Sequence, residues 1–323
     1  MDNVFAYTEL LPAHFGIRPL SVTALGGYSN RNALVQAANG AYVARLARHN
    51  RRADSVRAEE HVLQSLEAQG YRHAPRLVKH PGPPLQWQHR FVHVFYLQPG
   101  NIPCKWWQHC SSEQLALLFK ELAGLHQAMY DILSVHDTHQ GVYQWYRMPA
   151  QPPAVLEQTK AGRYVLKHWE RFCEAAYKLQ QAVALQFPWD AARYQWIHGD
   201  IQLENVLFDK EVLTAFLDFE MVKWDACEKD VIFSAFRVCK EGPEDGTFRY
   251  DANRLRSAIA HYRQAETRLH SGFFDLYEAL WKPFFCLDQA LVYLHNAFDQ
   301  VWVLDDNIGF MPCFDEVLHY YEW

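Results

Sequence analysis

Between Trp196 and Glu220 the chain reads WIHGDIQLENVLFDKEVLTAFLDFE, and three of its side chains, Asp200, Asn205 and Asp218, have types and spacing that could do chemistry. Apolar, β-prone runs separate them, Val206-Leu207-Phe208 and Leu213 to Leu217, so the polar residues are expected at strand ends, on two turns flanking a short hairpin. Carboxylate and amide oxygens held this way suit a hard cation such as Mg²⁺, with a nucleoside triphosphate completing the coordination shell. Taken singly, Asp200 could be a capping or turn aspartate, Asn205 a turn amide and Asp218 a hairpin carboxylate. Neither of the last two readings explains why both residues follow an aspartate at this spacing.

The elements that must position these residues are legible upstream. Val22–Leu25, Ala33–Ala37 and Tyr42–Leu46 read as strands, with Gly26-Gly27-Tyr28-Ser29-Asn30 and Asn39-Gly40 as turns. Asp54 to Gln69 switches to helical spacing, with Val56, Val62, Leu63 and Leu66 on one stripe and Gly70 as a stop. Strands are expected again near Arg76–Lys79, Gln86–Gln88 and Phe91–Leu97. Beyond Pro99-Gly100 the pattern is mostly helical, over about Ser112–Met129, Ala161–Gln186, Arg254–Arg268 and Phe273–Phe298, with Val142–Ala154 as an irregular connection. The predicted class is α+β: a small antiparallel sheet with one helix (1–97), a hinge (98–102), and a larger, mainly helical part (103–323), with a ligand cleft between the two lobes.

HGD followed by Asn five residues on, then LDFE, resembles the aminoglycoside phosphotransferase and choline kinase family of small-molecule kinases. That family shares a two-lobed fold with protein kinases, whose version reads H-R-D-x-x-x-x-N and D-F-G. Gly199 and Glu220 stand where protein kinases have Arg and Gly, and no APE motif follows Asp218; all three departures favour small acceptors. The resemblance implies an ATP-dependent O-phosphotransferase, with Asp200 as catalytic base and Asn205 and Asp218 holding Mg²⁺. It makes His198 a structural residue that hydrogen-bonds the catalytic region, with a downstream acid as its partner and Asp230 the candidate. Gln202 stands where many relatives carry His and protein kinases Lys, so this slot supplies no charge.

The resemblance also implies a nucleotide site. Gly26, Gly27, Ser29 and Asn30 resemble the phosphate-covering loop, where successive N–H groups in a Gly-permitted turn form an anion nest. Arg45 stands at the β3 lysine position and would grip phosphate oxygens. Its partner would be Glu59 or Glu60; the family's E-x-x-x-L-x-x-L pattern against Leu63 and Leu66 favours Glu59, leaving the other as a solvated charge. The base would pair with the backbone near Phe95–Gln98, around Tyr96 and Gln98, so ATP is expected and GTP is not excluded. The alternative is a catalytically silent, kinase-like binding module, which need not retain the metal trio.

The acceptor is expected to be a small hydroxylated molecule: an aminoglycoside, amino alcohol, sugar or homoserine-like compound. Glu278, Asp288, Asp299, Asp305, Asp306, Asp315 and Glu316 could form a wall for an amine, although each alone reads better as a solvated face or cap. Trp281, Phe284, Phe285 and Tyr293 recur at helical spacing and read as core, while Trp302, Tyr320, Tyr321 and Trp323 could stack on a ligand.

Composition closes off other classes. In 323 residues, 50% hydrophobic and 21% charged, the net charge of −6 gives no electrostatic case for nucleic acid. No basic, apolar leader follows Met1-Asp2-Asn3, and no apolar run is long enough for a bilayer, so a cytoplasmic chain without a membrane partner is expected. The seven cysteines form no C-x-x-C and read as reduced thiols, and HDTH at 136–139 reads as loop histidines.

Overall fold

The computed structural model describes residues 4–25, 30–105, 107–133, 148, 150–242, 249–275, 278–298 and 311–320. A short helix, α1 (Val4–Leu10), runs through a π-helical turn (Leu11–Phe15) into β1 (Pro19–Leu25), β2 (Arg31–Ala37) and β3 (Gly40–Leu46). Helix α2 (Ala53–Ala68), β4 (Gln86–Trp87) and β5 (Arg90–Tyr96) complete an antiparallel sheet of order β1-β2-β3-β5-β4. Alternation along β2 and β3 buries Ala33, Val35, Tyr42 and Ala44 against Tyr7, Leu10 and Leu11, a small core of its own. The expected strand near Arg76–Lys79 is reduced to one bridge, Leu77 to Phe95.

The remainder is mostly helical: α3 (Ser112–Tyr130), α4 (Lys160–Lys167), α5 (Trp169–Gln186), β6 (Tyr194–Ile197), β7 (Val206–Asp209), β8 (Val212–Phe216), β9 (Lys223–Ala226), α6 (Cys227–Val238), β10 (Lys240–Glu241), β11 (Arg249–Tyr250), α7 (Ala252–Ala265), α8 (Gly272–Asp275), α9 (Glu278–Phe298) and α10 (Met311–His319). The expected helix 161–186 is broken at His168. Helix α6, which periodicity did not reveal, is buried on every side. A helix without a solvated face has no polar stripe to betray it. Trp281, Phe284, Phe285 and Tyr293 are core, as their spacing predicts. Among the described residues no helix is long and apolar enough to cross a membrane.

The sheet is stitched to the helical part at the hinge. Asn101 exchanges both backbone hydrogen bonds with Phe208 of β7 (2.8 and 2.9 Å), and Thr214 Oγ1 of β8 donates to Pro99 O at 2.6 Å. Gly100 permits this contact: its φ is +110°, and a Cβ there would lie 2.5 Å from Thr214 Oγ1 and 3.0 Å from Phe208 O. Gly100→Ala is therefore expected to cost about 1–3 kcal/mol in denaturant unfolding. Gly16→Ala, also at positive φ but with nothing within 4 Å, should cost about 1 kcal/mol or less; equal losses would contradict the hinge argument.

Candidate active site

Strand β6 ends in His198-Gly199-Asp200, and the loop's path is dictated by a carboxylate beneath it. Asp230 on α6, 1% exposed, accepts the amide of His198 at 3.1 Å and that of Gly199 at 3.2 Å. His126 Nε2 of α3 donates to the same carboxylate at 3.1 Å. Burial works to raise the Asp230 pKa, but the hydrogen bond and charge of His126 hold it down to about 2. Burial likewise opposes charge on His126, yet Cys227 and Asp230 together outweigh it and bring its pKa up to about 10. Gly199 is required by the turn: φ is +78°, and a Cβ would lie 2.6 Å from Met221 O.

The expected partnership of His198 with Asp230 is made by the His198 backbone amide, and the ring turns elsewhere. The His198 Nε2–H donates to Leu217 O at 2.9 Å, and Nδ1 accepts from the Asp200 amide at 3.2 Å. Burial lowers the His198 pKa, in keeping with this neutral tautomer. Asp230 serves the backbone of the loop while the ring spans from the loop to the segment after β8 that carries Asp218.

Asp200, Asn205 and Asp218 converge. Asn205 Nδ2 donates to Asp200 O at 2.9 Å and to Asp200 Oδ2 at 3.0 Å, which leaves its Oδ1 for another partner. The Leu217 amide donates to Asn205 O at 2.7 Å and so pins the Asp218 segment to the catalytic loop. Asp218 adopts a left-handed backbone (φ 59°), an uncommon conformation for a residue with a side chain. Its carboxyl pKa is raised, first by desolvation and then by Glu220, with Arg45 opposing. The side chain is still 34% exposed, so solvent softens that shift.

Arg45 meets Glu59 rather than Glu60, at 2.5 Å, and donates to Asp218 Oδ1 at 3.1 Å. Glu59 lies in the buried stripe of α2 between Val56 and Val62 and also accepts from Arg51 at 3.0 Å. Burial would raise its pKa, but Arg45, His93 and Arg51 hold it down to about 2. Glu60 bonds His93 Nε2 at 3.1 Å instead of standing free in solvent. Asn30 is clasped between the Arg48 amide (3.0 Å) and Glu220 Oε2 (2.9 Å), and Arg51 also donates to Glu220 O. At the end of β5 the amides of Tyr96 and Leu97 already donate to Arg76 O and Ala41 O, and Tyr96 is 38% exposed. Gly26, Gly27 and Ser29 lie outside the described residues, as do Asp299, Asp305 and Asp306 and the side chain of Glu278.

Two arginines escaped the sequence reading. Arg51 ties α2 to Glu220, and Arg237 of α6 places Nε 3.5 Å from Asp200 Oδ1. Neither sits in a motif; the one available signal for Arg237 was a charge inside the apolar run VIFSAFRV. The acidic wall for an amine is not assembled by its described members. Asp288 is buried, Asp315 accepts from Tyr164, and Glu316 pairs with Lys282.

Asp230→Asn removes one partner of a buried ion pair and should destabilise the protein by about 3–5 kcal/mol. Because the Asp230 pKa is depressed on folding, its contribution is complete above the unfolded value of about 4 and is lost as pH falls towards about 2. Melting followed from pH 5 to pH 2.5 should show a steeper acid loss in the parent than in Asp230→Asn; parallel curves would contradict the assignment.

Comparison with known proteins places this geometry. Residues 21–266 match the profile of APH, the phosphotransferase enzyme family. No curated protein matches the chain by sequence. Among solved structures it resembles amicoumacin kinase in complex with AMP-PNP, Ca²⁺ and amicoumacin (TM-score 0.65, 15% identity, 98% of this chain and 93% of that one). It also resembles a microcompartment-associated aminopropanol kinase (0.62, 14%, 98% and 95%) and the macrolide 2′-phosphotransferase of Brachybacterium faecium (0.57, 16%, 98% and 97%). These likenesses show the kinase-like fold, and with a profile match over most of its length the chain belongs to the phosphotransferase enzyme family.

Proposed function

We propose that the protein transfers the γ-phosphoryl group of ATP to a hydroxyl of a small molecule. The observation that carries this reading is the convergence of Asp200, Asn205, Asp218 and Arg45 from separate segments through bonds of 2.9–3.1 Å. Residues 1–97 and the hinge at 98–102 would hold the nucleotide, and residues 103–323 the catalytic loop and the acceptor. The amides of Tyr96 and Leu97, just before the hinge, are committed, so Gln98 N–H is the better donor for the base.

The donor set fits Mg²⁺. Asn205 turns its nitrogen to Asp200 and so presents Oδ1, while Asp218 keeps Oδ2 clear of Arg45, which takes Oδ1. Two protein oxygens are what a nucleotide-bound Mg²⁺ needs, since phosphates and water supply the rest. No group of three His, Cys, Asp or Glu suited to a metal occurs among the described residues, consistent with a cation that arrives with its nucleotide. When bound, Mg²⁺ would neutralise charge on the phosphate oxygens.

Asp200 would orient the acceptor hydroxyl and take its proton as the oxygen bonds to the γ-phosphorus. The bond from that phosphorus to the bridging oxygen breaks, and ADP departs with the electron pair. Arg45, held by Glu59, would steady phosphate oxygens.

Asp200→Ala should keep Mg²⁺–ATP binding within about threefold in calorimetry while lowering kcat by about 10²–10⁴. Retention of most activity would remove Asp200 from its role. Asn205→Ala or EDTA should abolish Mg²⁺-dependent stabilisation by AMP-PNP in a thermal-shift assay; stabilisation unchanged by either would count against the metal assignment.

A further inference from the structure

Resting on the phosphotransferase reading above, we infer that Arg237 forms an anion subsite beside Asp200, so that the acceptor is a hydroxy compound carrying a carboxylate or phosphate group. The two edges of the Asp200 carboxylate differ. Oδ2 faces the metal-ligand side and is taken by Asn205 Nδ2 at 3.0 Å and approached by Gln202 Nε2 at 3.4 Å. Oδ1 faces α6 and the Arg237 Nε at 3.5 Å. An acceptor hydroxyl must reach the carboxylate at the edge Asn205 leaves open, which brings its substituents to the guanidinium.

Arg237 has capacity to spare. The residue is 9% exposed, and its Nη1 is buried without a hydrogen-bond partner among the described residues. A buried guanidinium donor left unpaired is costly unless something binds it. The Phe233 and Phe285 rings lie 5.9 and 5.6 Å from the guanidinium carbon, so the group is held in place by its surroundings. Asp315 and Glu316, the described acids that could have faced an amine, bond Tyr164 and Lys282 instead. A polyamine would meet like charge here, whereas an anion meets a planar fork suited to two oxygens.

The test uses matched acceptors with the full-length chain, Mg²⁺ and ATP: homoserine against homoserine amide, glycerate against glyceramide, glycerol 3-phosphate against glycerol, and kanamycin. Expected is a preference in kcat/KM of at least about 30-fold for the anionic member of one pair, the pair identifying carboxylate or phosphate. Arg237→Met should raise the KM for that acceptor at least tenfold, leave the KM for ATP within about twofold, and shrink the preference to about threefold; Arg237→Lys should restore part of it. A guanidinium that only neutralises Asp200 would lower kcat on acid and amide alike, which would overturn the subsite. So would preference for kanamycin, or an Arg237→Met effect confined to the KM for ATP. Calorimetry on the Mg²⁺–AMP-PNP complex covers the case of no turnover: nucleotide binding without heat from any anionic acceptor overturns the subsite alone, whereas absent nucleotide binding overturns the phosphotransferase reading. Melting curves of each variant exclude misfolding as the cause.

Discussion

A buried carboxylate cannot keep its water, and Asp230 must find its hydrogen bonds within the protein. It finds them in the amides of His198 and Gly199 and in the imidazole of His126, drawn from β6, the catalytic loop and α3. Leaving any of these donors unmet in a low-dielectric interior would cost kilocalories, so the loop has little freedom to drift. The consequence travels along the chain. Once the two amides are fixed, the His198 ring lies between the Asp200 amide and Leu217 O, and the Leu217 amide in turn grips Asn205 O. One interior charge thus sets the relative positions of all three residues that would handle metal and phosphate.

A second set of buried charges couples this centre to the sheet. Glu59 sits between Arg45 and Arg51; Arg45 reaches Asp218, while Arg51 and Asn30 reach Glu220. Glutamate at position 220, where protein kinases carry glycine, gives the sheet a handle on the segment carrying Asp218 that a glycine has no side chain to supply. Burial first, and then the nearby carboxylates Glu220, Asp200 and Glu59 against the opposing Arg45, raise the Asp218 pKa, and an arriving divalent cation would relieve that repulsion. The left-handed backbone at Asp218 is tolerated because the segments on both sides are tied down.

The acceptor side follows a different electrostatic rule. Where the sequence offered acids for an amine, the fold pairs Asp315 with Tyr164 and Glu316 with Lys282 and brings Arg237 to Asp200. Specificity would then depend on Arg237, which α6 carries on the same side as Phe233.

The sequence alone was enough to predict most elements and to single out the three residues proposed to handle metal and phosphate. Asp200 and Asn205 precede β7 and Asp218 follows β8, so the turns at the two ends of one hairpin already bring them close. The period-two strands and the Val56–Leu66 stripe report burial of one face, a local property of the chain. Only the tertiary structure decided the partner of His198, the choice between Glu59 and Glu60, the burial of α6 and the arrival of Arg51 and Arg237. Each of these depends on a side chain meeting a group from a distant segment, and an interior charge takes whichever partner the packing delivers. Residues 198 and 230 are close in both readings, but whether ring or backbone meets the carboxylate is set by the angle at which α6 passes beneath the loop.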